Sequence, residues 1–389
     1  MTKKWSSRLT FFAFVVLMVG LGSNDSLRGI FSTIFQEHFS LTTTQLGLIV
    51  TASYIGNLVF LLVGGNLSTR FSKKRVLQVL ILIWMAALAL FAFTSNYTVL
   101  LIGMALALGS STLLNTTMNL ITPLLFATAP GFFVNFLFFT QEIGTSGSQY
   151  ILGSHADGFA FWQHTNLVLL ILGAVAFVLL LFCNVPEEAT DPADTPAQKG
   201  GYDWRIIVPY VLVFGFYFIA EHGVMNWMVA YGVDGLGLPQ ASAAKYLSVF
   251  FGGMMIGRLC LSPRVDKLGA LKSLADFGGV SCVLYLIGSL GGAVTMPVWA
   301  ISGLSFSILY PTLVMSIRLY FPAQQVSGAA GTILSIASLA DILFNVGFGK
   351  LVDMAGYAVS IRVLPLSVLA FFIVFMLFTK FCKPTQKLK

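Results

Sequence analysis

Apolar segments of about twenty residues, separated by short polar turns, follow one another along this chain and constrain its fold more than any other feature. Hydrophobic residues make up 57% of the 389 positions and charged residues 10%, whereas about a quarter of a soluble domain is charged. Each run is long enough to cross a bilayer as a helix, and a transmembrane barrel would instead show short alternating strands. We therefore predict an all-α integral membrane protein.

The apolar runs between turn signals predict twelve membrane-spanning helices. The one long polar interval, 185–204, is rich in Pro, Gly and acidic residues and is predicted to be a cytoplasmic linker between six spans and six. We therefore predict an N-terminal six-helix bundle at 1–184 and a C-terminal six-helix bundle at 205–389. The predicted spans are 9–36, 44–68, 75–95, 98–126, 131–153, 164–184, 205–232, 242–264, 270–291, 294–320, 326–352 and 359–381.

Lys and Arg residues concentrate in the loops on one side of the predicted membrane, as in the run Lys73-Lys74-Arg75. Because cytoplasmic loops are enriched in these residues, both termini are predicted to be cytoplasmic. The net charge of +7 is spread over short loops, so membrane orientation explains it better than binding to nucleic acid. We expect a multi-pass protein of a bacterial inner (plasma) membrane.

The two halves carry similar turns, as internal duplication in transporters predicts. A glycine, a short apolar stretch and a basic turn end both span two, at 64–75, and span eight, at 257–269. The first of these turns resembles the signature loop of the major facilitator superfamily, although Thr69 and Ser72 stand where an Asp and a Gly are usual. The resemblance implies two pseudo-symmetric six-helix bundles that rock around a central cavity.

Within that superfamily the chain most resembles the fucose:proton symporter family of sugar transporters. The resemblance implies proton-coupled sugar transport, with a proton-carrying acid at Asp25 and a sugar-contacting amide near Gln141. One departure is Asn115, where the family's fucose transporter has a functional Glu. The matching motifs are Asn24-Asp25, Phe35-Gln36, Phe39-Ser40-Leu41-Thr42, Gln45-Leu46-Gly47-Leu48-Ile49, Tyr54-Ile55-Gly56, Asn115-Thr116-Thr117-Met118-Asn119 and Tyr310-Pro311-Thr312.

A polar patch at 22–29 interrupts the first apolar run and contains Asp25 and Arg28. Ionisable residues inside a membrane are costly and mark functional sites. Burial disfavours the charged form of a carboxyl group, so Asp25 could gain and lose a proton in each transport cycle. The alternative is a structural pair between Asp25 and Arg28, one helical turn apart. Both hold if protonation breaks the pair, and we predict that Asp25, Arg28 and Glu142 serve proton coupling.

Amide side chains recur at helical spacing in spans four and five. Asn115 and Asn119 share one face, and amides suit a neutral polyol because each both donates and accepts hydrogen bonds. The alternative is that these side chains only join helices to each other. Glu142 is either a second functional carboxylate or the partner of a base such as Arg28. The predicted N-terminal substrate-binding residues are Asn24, Tyr54, Asn57, Asn115, Asn119, Gln141 and Glu142.

In the second half, Trp227 is either a platform for the CH face of a sugar or an anchor at the membrane interface. Asp341 is an intramembrane acid that serves the cavity or fixes the two bundles to each other. Pro311 permits a kink in span ten, and snorkelling explains Arg258 without a function. The predicted C-terminal substrate-binding residues are Glu221, His222, Asn226, Trp227, Tyr310 and Asp341.

These observations predict a secondary transporter that couples protons to the uptake of a small neutral hydroxylated solute, such as a monosaccharide. The alternatives are proton-linked efflux of amphipathic compounds and a nutrient sensor that binds without transport. The expected partners are solute, protons and membrane lipid, with no nucleic acid, and the protein is expected to be a monomer. Neither an enzyme nor a cofactor or metal site is expected, because no nucleotide-binding loop, zinc-ligand cluster or nucleophile elbow occurs in a polar segment.

Overall fold

The computed structural model describes residues 3–126, 130–183, 185–186 and 202–384. Within these ranges the chain is helical and contains no strand, so the prediction of an all-α fold is confirmed. Eleven helical segments of the described residues are long and apolar enough to cross a membrane, and some of them consist of consecutive shorter helices. A 22-residue helix, Pro130–Ile151, lies at the place of the fifth predicted span.

The chain divides into two compact units, Met1–Thr190 (the N-terminal unit) and Asp191–Lys389 (the C-terminal unit). The predicted linker falls mostly on 187–201, outside the described residues, so its boundaries and those of the two bundles stay a prediction. The described helices of the N-terminal unit are α1 (Lys3–Ile30), α2 (Ser32–His38), α3 (Thr43–Arg70), α4 (Lys73–Phe93), α5 (Tyr97–Leu125), α6 (Pro130–Ile151) and α7 (Phe159–Leu181).

The first described helix of the C-terminal unit is capped, since the Asp203 carboxylate accepts a hydrogen bond from the backbone N–H of Arg205 at 2.9 Å. Its α-helices are α8 (Trp204–Ala230), α9 (Gln240–Leu268), α10 (Ala270–Leu290), α11 (Met296–Ile301), α12 (Gly303–Phe306), α13 (Leu309–Ser316), α14 (Ala323–Ala355), α15 (Tyr357–Ser360) and α16 (Val363–Phe381). Single turns of other helical types lie at Tyr231–Gly235, Gly292–Thr295 and Ile317–Leu319.

Glycines allow α1 and α6 to pack with their backbones in contact. A Cβ atom on Gly22 would collide with the carbonyl oxygen of Gln141, and one on Gly144 would collide with that of Val19. Small residues permit such close helix packing in membranes, where backbone proximity and hydrogen bonds replace the hydrophobic effect. The crossing brings the polar patch of α1 against the polar residues of α6.

The basic turn before α4 is tied to the end of α7. Ser72 accepts a hydrogen bond from the backbone N–H of Arg75 at 3.4 Å and so caps the helix. The ammonium group of Lys74 donates to the carbonyl oxygens of Leu181 at 3.0 Å and Cys183 at 2.7 Å. A cation at the C-terminus of a helix binds carbonyls that lack an intrahelical donor.

Predicted spans one and ten are interrupted well inside their length. Span one breaks at Phe31, between α1 and α2, where the Ser32 hydroxyl donates to the carbonyl oxygen of Gly29 at 2.8 Å. Span ten is divided into α11, α12 and α13. The break before α13 precedes Pro311 by one turn, because proline has no N–H to offer the carbonyl four residues earlier, that of Ser307.

Candidate functional site

Asp25 lies on α1 and is hydrogen-bonded to α5. The Ser111 hydroxyl donates to Asp25 Oδ2 at 3.3 Å, and Ser111 itself is buried. The other carboxyl oxygen, Oδ1, is buried and makes no hydrogen bond. An unpaired oxygen of an ionised carboxylate is costly inside a protein, and protonation lowers that cost by removing the charge. The site can therefore hold a proton on a group that is ordinarily charged.

Arg28 lies one turn beyond Asp25 and contacts α3. Its guanidinium carbon lies 5.7 Å from the centroid of the Tyr54 ring, within the range of a cation–π interaction. Arg28 is 6% exposed, and its Nε atom is buried without a hydrogen-bond partner. Different helices thus hold the two charged side chains, α5 for Asp25 and α3 for Arg28. Their pairing in a resting state stays a prediction.

Three amide side chains form a hydrogen-bonded row between α5 and α6. Asn119 Nδ2 donates to Asn115 Oδ1 at 2.6 Å, and Asn115 Nδ2 donates to Gln141 Oε1 at 2.6 Å. The Asn119 Oδ1 atom is buried without a partner. We call these three residues the amide row. The helical spacing predicted that Asn115 and Asn119 share a face, and the bond to Gln141 adds the partner on α6.

The remaining predicted residues of the N-terminal unit lie on α1, α3 and α6. Glu142 follows Gln141 on α6 and is half-buried. Asn57, on α3, has a buried Oδ1 without a hydrogen-bond partner. Asn24 is buried, and its Oδ1 accepts a hydrogen bond from Trp84 Nε1 of α4 at 3.3 Å. Asn24 therefore contributes to helix packing, through a partner that sequence spacing does not indicate.

The C-terminal unit contains a second polar cluster, which joins α8 to α14. His222 Nδ1 is hydrogen-bonded to Asp341 Oδ2, and Asp341 is 1% exposed. Asn345 Nδ2 donates to the backbone carbonyl oxygen of Asp341 at 2.8 Å and lies 3.5 Å from its Oδ1. Trp227 Nε1 donates to Asn345 Oδ1 at 2.9 Å. We call these four residues the α8–α14 network.

The network describes the surroundings of Trp227 and Asp341, two residues whose roles the sequence left open and whose roles stay a prediction. Trp227 is fully buried, whereas an interfacial anchor would expose its ring to lipid. Asp341 bonds to His222 and Asn345, both in its own unit. Asn226, also predicted to bind substrate, is buried on α8, and Glu221 is half-buried.

Aromatic rings lie beside the His222 end of the network. The Phe218 ring stacks on the His222 imidazole with centroids 5.4 Å apart, and Tyr310 lies 6.1 Å from Phe218.

Arg258 Nε donates to the carbonyl oxygen of Ser307 at 3.4 Å. Snorkelling alone does not explain Arg258, because its side chain serves a carbonyl of its own unit. Pro311, four residues after Ser307, is the sequence feature that could have indicated such a donor, because proline has no N–H to offer the Ser307 carbonyl.

Among the described residues, no group of three or more His, Cys, Asp or Glu side chains is placed to hold a metal ion.

A family model for the Major Facilitator Superfamily matches residues 10–343. The chain belongs to the Major Facilitator Superfamily. This superfamily member is a multi-pass membrane protein, and the relatives described next are transporters.

Two bacterial relatives align over most of the superfamily member. The glucose/galactose transporter of Brucella abortus biovar 1 (strain 9-941) is 26% identical over 341 residues, which are 82% of this chain and 81% of the relative. The L-fucose-proton symporter of Escherichia coli (strain K12) is 23% identical over 332 residues, 74% of this chain and 75% of the relative. The predicted resemblance to the fucose symporter family is confirmed.

Solved structures agree on the fold. The crystal structure of FucP, a Major Facilitator Superfamily transporter, in the outward conformation has a TM-score of 0.66 and 20% sequence identity, and covers 96% of this chain and 99% of its own. The D-xylose-proton symporter structure has a TM-score of 0.79 and 15% identity, and covers 99% of both chains. At these identities the likeness establishes the fold.

Proposed function

We propose that this superfamily member is a proton-coupled symporter that takes up a small neutral hydroxylated solute, such as a monosaccharide, by alternating access. The observation that carries the proposal is the environment of Asp25, a carboxyl group inside a membrane span with one buried oxygen that no donor satisfies. The functions of the two relatives, L-fucose–proton symport and glucose/galactose transport, support the same class of solute.

Asp25 would carry the proton. With the proton bound, the carboxyl group is neutral and α1 can move through a dry environment without burying an unpaired charge, a cost of several kcal/mol per ion. With the proton released, the carboxylate keeps the hydrogen bond from Ser111 and lies one turn from the cation of Arg28. The two protonation states thus favour different conformations, which is what coupling requires.

The amide row would bind the solute. Its members donate and accept hydrogen bonds among themselves, and sugar hydroxyl groups can replace such bonds one for one because a hydroxyl also does both. The unpartnered Asn119 Oδ1 offers an acceptor from the outset. The row lies on α5, the helix that also carries Ser111, so solute binding and the proton site share one structural element.

The test is the Asp25→Asn variant in proteoliposomes, assayed with L-fucose, D-glucose and D-galactose. An amide cannot carry the proton, so sugar accumulation against its gradient should fail while exchange of labelled for unlabelled sugar survives. The matched control is Thr116→Ala, at an exposed position of α5, which should leave both activities unchanged. Accumulation by Asp25→Asn at the wild-type level, or extrusion of dyes with no sugar uptake by the wild type, would overturn the proposal.

A further inference from the structure

We propose that His222 and Asp341 form a second proton-binding site, in the C-terminal unit, which takes up one proton on the imidazole and releases it in each transport cycle. As a coupling site it rests on the proposed function. As a proton-binding site it rests on the geometry of the α8–α14 network alone and can be tested without a solute.

The side chains of His222 and Asp341 differ in exposure to solvent, and this difference assigns their roles. The side chain of Asp341 is 2% exposed and that of His222 is 25% exposed. One carboxylate oxygen of Asp341 is hydrogen-bonded to His222 Nδ1, and Asn345 Nδ2 lies 3.5 Å from the other oxygen. The carboxylate is therefore the fixed counter-charge, and the imidazole is the part that water can reach. When Nδ1 carries the shared hydrogen, the additional proton resides on Nε2.

The proton balance follows from these assignments. Before loading, neutral His222 and ionised Asp341 carry a net charge of minus one; after loading, imidazolium and carboxylate carry none. An ion pair with good hydrogen bonding is tolerated in a low-dielectric interior, whereas a lone charge is strongly disfavoured there. Loading thus converts a costly buried charge into a neutral pair, as the movement of a helix through a membrane requires.

Helix α8 and the helices packed against it carry other charged groups. Glu221 precedes His222 on α8, and Arg258 lies on α9, which packs against α8. Helix α16, which also packs on α8, carries Lys380 in its last turn. Asp341 is the counter-charge in direct contact with the imidazole, through its hydrogen bond to His222 Nδ1.

The rest of the network connects the protonation state to helix packing. Asn345 contacts Asp341 through both its backbone and side-chain oxygens, and it accepts the indole N–H of Trp227. The chain of bonds therefore runs from α8 to α14 and back to α8. A change of charge at His222 alters the strength of the first bond in this chain, and hence the contact between the two helices.

The direct test uses the protein's 4 histidines. Protein with nitrogen-15 in histidine only is reconstituted in lipid, and its imidazole resonances are followed between about pH 5 and pH 8. The His222→Gln variant identifies the His222 signal. We expect this signal to titrate reversibly and its midpoint to move by about one pH unit or more in Asp341→Asn, because the counter-charge is lost. Asp25→Asn, the matched control, should leave the titration in place.

Two outcomes would overturn the inference. If His222 does not titrate in this range, the pair is a fixed bridge between helices, whatever the protein transports. If it titrates identically in Asp341→Asn, the pair does not act as a unit. Thermal unfolding of both variants identifies loss of fold, and His222→Asn provides a second, smaller replacement. Absence of sugar uptake would overturn the proposed symport and leave the titration result standing.

In transport assays the same site makes a separate prediction. His222→Gln should keep exchange of labelled sugar and move fewer protons per sugar than the wild type. An unchanged ratio of protons to sugar, together with a titrating His222, would overturn its role in coupling.

Discussion

Arg258 Nε donates a hydrogen bond to the carbonyl oxygen of Ser307 at 3.4 Å. That carbonyl lacks its usual intrahelical donor because the residue four positions later is Pro311. A cation on α9 thus satisfies a backbone group that a proline on α13 leaves without a partner. The break in span ten and the charge in span eight are two parts of one arrangement.

Replacement of Arg258 should destabilise the protein, because the Ser307 carbonyl would lose the hydrogen bond from its guanidinium group. Arg258→Gln is expected to lower the free energy of unfolding by about 1–3 kcal/mol, the cost of an unsatisfied buried polar group. Pro311→Ala restores a backbone N–H, so the cost of Arg258→Gln should be smaller in that background. Thermal unfolding in detergent measures the cycle, with Arg264→Gln, at an exposed position of α9, as control. Equal costs in both backgrounds would contradict the arrangement.

The crossing of α1 and α6 should not tolerate a side chain on its glycines. Gly22→Ala places a methyl group on the carbonyl oxygen of Gln141, and the helices must separate. We expect a loss of about 1–3 kcal/mol in stability, seen as a lower unfolding temperature. Gly147→Ala, also on α6, has no atom within 4 Å of the added Cβ and should be neutral or stabilising. The same effect from both substitutions would show that the crossing is not responsible.

The amide row should affect the affinity for solute rather than the coupling to protons. Asn115→Ala removes one donor and one acceptor, so the half-saturating sugar concentration should rise about tenfold, equivalent to about 1.4 kcal/mol. The number of protons moved per sugar should not change. Uptake kinetics and pH recordings on the same vesicles measure both, with Thr116→Ala as control. A changed proton ratio with unchanged affinity would assign Asn115 to coupling instead.

Most of the fold and part of the candidate site could be predicted from the sequence. Run length and composition predicted membrane-spanning helices, because the bilayer fixes the length that each helix needs. Helical spacing placed Asn115 and Asn119 together, and the position of Asp25 in an apolar run marked it as a candidate functional residue. These are local properties, which depend on residues close to each other in the chain.

Contacts between distant segments could not be predicted in the same way. His222 and Asp341 are 119 positions apart, and Trp84 and Asn24 are 60 apart. Spacing indicates which residues share a helix face, but not which faces of two different helices are in contact. Arg258 was assigned to snorkelling for the same reason: its acceptor, the Ser307 carbonyl, lies between α12 and α13, 49 positions along the chain.

The central claim is that sugar and protons cross the membrane together through Asp25. The most direct measurement is made on proteoliposomes without a membrane potential or an imposed pH gradient, to which the transported sugar is added outside. We predict that the external medium becomes more alkaline as sugar enters, and that Asp25→Asn vesicles show no such change. Sugar entry into wild-type vesicles with no change of external pH would contradict the account.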